Sequence, residues 1–147
     1  MKKFQFTLEA LLHLRREKER LCEIALAKSV GKLKLIDDDI LAAKDRGNAV
    51  FTQKMSTLDD LRLRERIWLK SINDQKRLAT ARAEALPQFE EDRKKYTEAH
   101  TQRYALDKLK AKQHERWKKT CTREEIARLD EAGKGMIKRQ SLLEESL

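Results

Sequence analysis

The sequence predicts an all-α protein, a long two-helix antiparallel coiled-coil hairpin with an overhanging C-terminal helix, on three observations. Of its 147 residues, 40% are charged and only 5% are aromatic, which leaves little to build a compact core and suits long solvated helices. Four glycines and one proline leave few turns. Steps of alternating three and four residues from Cys22 return Leu26, Ser29, Leu33, Ile36, Ile40, Ala43, Gly47 and Val50, a seam too thin for a globular core and suited to one facing helix. That sustained seam also argues against a disordered chain.

The chain reads as a single hairpin over residues 1–147. Phe4 and Phe6 alternate before Thr7, a candidate N-cap, opens the first helix at about residue 7. Leu8, Leu11, Leu12 and Leu14 supply hydrophobic packing, and the mixed-charge run from Arg15 to Arg20 leads into the seam. The helix is expected to weaken at Gly47-Asn48 and end near residue 50, because both residue types accept the left-handed conformation that closes helices. A connection over about 51–56 follows. Ser56 or Thr57 caps the second helix, whose first turn holds Asp59 and Asp60 against the positive end of the helix dipole.

The second helix is expected from about residue 57 to about 131. Its stepping runs through Leu58, Leu61, Glu65, Trp68, Ile72, Gln75, Ala79, Arg82, Leu86, Phe89, Arg93 and Tyr96, a patchier seam. Pro87 interrupts it at about 3 kcal/mol. No Gly, Asn, Asp or Ser lies between Ala81 and Phe89, so a kink is predicted there and not a turn. The C-terminal third of this helix should overhang the first, unpaired or lightly paired. Thr122 and Glu125 have capping-box spacing that restarts or tightens the helix, Gly133 and Gly135 end it, and residues 132–147 form a frayed tail.

The net charge of +9 makes an acidic surface, a nucleic acid or an anionic membrane face attractive without choosing among them. The most basic stretch is Leu106 to Lys119, where Lys108, Lys110, Lys112, Arg116, Lys118 and Lys119 are opposed only by Asp107 and Glu115. It is either a solvated face with Trp117 packed on a neighbour, or a surface that docks an acidic partner or phosphates. Sparse aromatics and interleaved acids weigh against nucleic acid, and no segment sets a broad apolar face opposite its lysines for membrane binding.

Enzyme chemistry is not expected. His13, His100 and His114 are dispersed and read as surface histidines, and neither Cys22 nor Cys121 has a ligand partner at metal spacing. Gly133-Lys134-Gly135 lacks the spacing and strand of a phosphate loop, and a helical pair offers no desolvated pocket to raise a carboxyl pKa. No cofactor and no metal are therefore expected. Two distant cysteines are no disulfide framework, and no apolar run has the length of a signal segment or membrane span. The expectation is a cytoplasmic chain with reduced thiols.

Both ends of the sequence resemble one family. Phe4-x-Phe6-x-Leu8-Glu9-x-Leu11-Leu12-x-Leu14-Arg15 at the start, and Leu106-x-Lys108-Leu109-Lys110 followed by Leu129-Asp130-Glu131 near the end, are similar to the FliJ family of the bacterial flagellar type III export apparatus. The resemblance covers nearly the whole length, including the break near Gly47-Asn48. It implies a non-enzymatic export component, built like the central stalk of a rotary ATPase and peripherally associated with the apparatus at the inner face of the cell membrane. It also implies three partners: the export ATPase ring, the cytoplasmic domain of the export gate, and export chaperones.

In that picture the end carrying both termini enters the ring and stimulates hydrolysis, through Arg15, Arg16, Lys112, Arg116, Lys118, Lys119 and Arg123. Trp68, Ile72, Gln75 and Ala79 fit the family's gate-binding spacing, although the third position is usually small there and the fourth often histidine. The alternative is that Trp68 and Ile72 pack against Ile36 and Ile40. Two other classes remain open, the equivalent stalk protein of a virulence type III secretion system and a basic coiled coil that binds nucleic acid.

Overall fold

The computed structural model describes residues 3–146. Two long helices, α1 (Glu9–Ala49) and α2 (Leu58–Glu145), pack against each other and are joined through a 3-10 turn at Val50–Thr52. The described residues contain no strand. By contacts the chain forms two units, Arg16–Thr101 and a second made of Met1–Arg15 with Gln102–Leu147.

Within Arg16–Thr101 the helices run in opposite directions, since Glu19 meets His100, Ser29 meets Asp92, Asp37 meets Arg82 and Ala43 meets Ser71. Between Cys22 and Val50 the nine residues of the predicted seam are all shielded from solvent, joined only by Ala25 and Asp37. The α1 periodicity therefore has a direct physical counterpart. Gly47 does not act as a helix end, however. It lies inside α1 without a positive φ, and a Cβ built on it would come 3.0 Å from Cβ of Ser71 and closer still to its hydroxyl. Glycine is present because the facing helix passes there, not because the chain turns.

The second seam is displaced by one residue from its expected line. The buried residues of α2 are Ser71, Ala85, Asp92 and Ala99. Gln75, Phe89 and Tyr96 belong to both lines, Ile72 and Leu86 flank the contact half-buried, and Trp68, Ala79, Arg82 and Arg93 are exposed. Small side chains let two helix backbones approach, and the bulkier neighbours are moved to the margin. The opposed register sets Ile36 and Ile40 level with the stretch around Arg82, so the alternative pairing of Trp68 with those isoleucines does not form.

Polar groups inside the contact are satisfied. The Ser71 hydroxyl donates to the Ala43 carbonyl at 2.6 Å and accepts from Nε2 of Gln75 at 3.1 Å. Asp92, buried, accepts from the Ser29 hydroxyl and from Nε2 of Gln88 at 3.0 Å. No described buried side-chain polar atom lacks a partner.

At the connection, the Arg64 guanidinium lies 4.9 Å from the centre of the Phe51 ring and donates to the Val50 carbonyl at 3.2 Å. Of the two candidate caps, Ser56 and Thr57, it is Thr57 that caps α2. Its hydroxyl accepts the Asp60 amide at 3.2 Å, while the Asp60 carboxylate accepts the Thr57 amide at 3.2 Å and the Ser56 amide at 3.3 Å. The Thr57 side chain first, and then the Ser56 and Thr57 amides, hold the Asp60 carboxyl below the ordinary aspartate range.

Helix α2 continues across Pro87, in line with the absence of turn residues there. It also continues through Gly133 and Gly135 to Glu145, which corrects the expected end at residue 131 and the frayed tail after it. Two glycines each cost about 1 kcal/mol against alanine, a penalty an already nucleated helix absorbs. Thr122 restarts nothing. Its hydroxyl bonds back to the Lys118 carbonyl at 3.0 Å within an unbroken helix.

Candidate functional site

In the unit made of Met1–Arg15 and Gln102–Leu147, the first described residues form a strap ahead of α1. Phe6 is buried and its carbonyl accepts the Glu9 amide at 3.1 Å, so regular helix opens at Glu9, two residues after the expected cap Thr7. Leu12 is fully buried. Phe4 meets His114 edge-on with ring centres 4.9 Å apart and lies 5.9 Å from the Trp117 ring, while His114 stacks on Trp117 at 5.7 Å. Glu9 pairs with Lys110 at 2.7 Å, and Arg15 donates to Gln102 at 2.6 Å.

This strap bears on two expectations. The stretch from Gln102 to Cys121 is lightly paired, with the N-terminal residues covering one of its faces through Trp117, and the described residues after Cys121 are all exposed. His114 is a half-buried ring in an aromatic cluster and not a surface histidine. Sequence periodicity missed the cluster because Phe4 lies outside any helix. The available signal was the Phe4-x-Phe6 alternation, which needs an apolar surface to cover.

The strap fixes which way the basic stretch faces. Steps of four, four, three and four carry Lys108, Lys112, Arg116, Lys119 and Arg123 along one line of α2, on the side opposite Lys110, Gln113, Trp117 and Cys121. All five are exposed. Lys108 lies 4.9 Å over the Tyr104 ring and Lys119 pairs with Glu115 at 2.8 Å, while Lys112, Arg116 and Arg123 have no ion-pair partner among the described residues. The Lys119 hydrogen bond, and then its charge, hold the Glu115 carboxyl below its usual value. Lys118 is exposed but off this line. Arg15, level with Gln102, lies about 15 Å along α2 from Lys112 at 1.5 Å per residue. Arg16 is exposed and lies outside this unit.

The four residues with gate-binding spacing sit in the other unit and differ in access. Trp68 and Ala79 are exposed, Ile72 is half-buried, and Gln75 turns inward to Ser71. Only Trp68 offers a large apolar surface to a partner.

Among the described residues no group of three metal-ligating side chains converges, and no helix is long and apolar enough to cross a membrane. Clefts beside Phe4 are lined by Gln5, Thr7, Glu9 and Lys110 on one side and by Asp107, Ala111 and His114 on the other. Comparison with known protein families, curated proteins and solved structures gives no match for this chain.

Proposed function

We propose that this chain is a non-enzymatic adaptor of the flagellar protein export machinery, a coiled-coil hairpin similar to the central stalk of a rotary ATPase. It binds and stimulates the export ATPase ring and couples it to the export gate and to export chaperones, at the inner face of the cell membrane. The reading is carried by the contact between the two stretches of sequence that resemble the FliJ family. Phe4 and Glu9 of the first lie against Lys110, His114 and Trp117 at the second, and the basic line faces away from them. A positive line on a rigid helix suits an acidic partner surface, where charge complementarity speeds encounter and fixes orientation. Trp68, with its exposed indole, is the anchor for the gate.

The deciding measurement is ATP hydrolysis by the cognate export ATPase, titrated with this chain at physiological salt. Stimulation at near-stoichiometric amounts is expected, and replacing Lys112, Arg116 and Lys119 by glutamate should remove it while helicity by circular dichroism stays unchanged. No stimulation of a competent ATPase, or equal stimulation by the charge-reversed chain, overturns the assignment to the ring. Steep salt-dependent retention on DNA, not competed by the ATPase, would instead favour nucleic-acid binding.

A further inference from the structure

The last covered residue of α2 is Cys121; every described residue from Thr122 to Ser146 is exposed, although the segment is helical to Glu145. It is not uniformly polar. Steps of three and four return Ile126, Leu129, Gly133, Met136, Gln140 and Leu143, an apolar line whose four large members are all well exposed. A line of this width matches one facing helix.

The geometry points to a second copy of this chain as the occupant, its same segment lying antiparallel on this line. In the antiparallel register that joins Ile126 to Leu143 of the second copy, Leu129 meets Gln140 and Gly133 meets Met136, and the two-fold axis repeats each layer. Gly133 has no atom within 4 Å of where its Cβ would be, which leaves a socket for the methionine. At the flanks Arg123 comes beside Glu144 of the other copy, and no like charges oppose. The parallel alternative stacks Gly133 on Gly133 and leaves a void, and it sets Glu125 beside Asp130. The segment is thus self-complementary in shape and charge in one orientation only, as a closed isologous interface requires. This inference does not depend on the export reading.

Sedimentation equilibrium of the full chain into the high-micromolar range should show a monomer–dimer equilibrium. Leu129→Glu with Met136→Glu should weaken it by at least about tenfold, and unchanged helicity would exclude misfolding as the cause. Orientation is read by oxidative crosslinking with Cys22 and Cys121 replaced by serine. A chain carrying Ile126→Cys should crosslink to one carrying Leu143→Cys, but not to itself, since two antiparallel copies of position 126 lie about 25 Å apart. A strictly monomeric chain, a dimer indifferent to the two glutamates, or crosslinking of position 126 to itself overturns the proposal. If the chain is monomeric and the two glutamates abolish binding to the export ATPase, that enzyme is the occupant instead.

Discussion

Two stretches of α2 are covered in contrasting ways. Within Arg16–Thr101 the buried residues apart from Leu33 and Val50 are small or polar, with Gly47 against Ser71 and the Ser29 hydroxyl on Asp92. Where residues 3–15 cover the later stretch the contacts are large, with Phe6 and Leu12 buried and Phe4 on His114 and Trp117. Small residues bring backbones close enough for directional hydrogen bonds, and directional bonds define register. Rings and leucines act by burying area, which is strong but weakly directional. One region determines which residues face each other, and the other provides adhesion.

The contrast breaks first at Leu12. Leu12→Ala removes the one fully buried large side chain among the described residues and should cost about 2–5 kcal/mol, read as a lower midpoint in urea. A smaller loss would mean that the strap closes over the cavity. In the close-contact region the opposite change is damaging. Gly47→Leu should cost about 1–3 kcal/mol by overpacking, and Ser71→Gly should restore part of it, whereas independent losses would deny that the two residues touch.

Asp92→Ala should cost about 1–3 kcal/mol, because it leaves the half-buried Ser29 hydroxyl without its acceptor. Combining Asp92→Leu with Ser29→Ala should recover most of that stability while weakening register, detectable as additional pairings in disulfide trapping. The smallest effect concerns Asp60. Its folded-state pKa is depressed, so its contribution is fully present above the ordinary value of 3.8 and is lost as pH falls through the lower folded value. The wild-type advantage over Asp60→Asn in thermal midpoint should therefore vanish on acidification, and a difference that persists at the lowest pH would assign the effect to shape.

Much of α1 was legible because its seam is apolar or small at each step from Cys22 to Val50, and a helix must bury such a line. The same reasoning misplaced α2. Trp68, Ile72 and Leu86 drew the expected line one residue aside, since periodicity weighs large apolar groups, while the contact selected Ser71, Ala85 and Asp92 for their size. The basic line of Lys108, Lys112, Arg116, Lys119 and Arg123 was written in the spacing, but its outward direction was not. That direction follows from the strap, whose phenylalanines precede the helix and carry no periodic signal.

Composition and helical period by themselves determined that this chain is two long helices joined by a short connection, and they narrowed the cap to Ser56 or Thr57, because these depend on neighbours within one turn. Tertiary structure alone decided that Gly47 is a contact and not a terminus and that Phe4 reaches Trp117, while the length of helix already formed carried α2 through Gly133 and Gly135. Each of those outcomes depends on the partner across the contact or on the length of helix already formed, and neither is encoded within one turn of the chain.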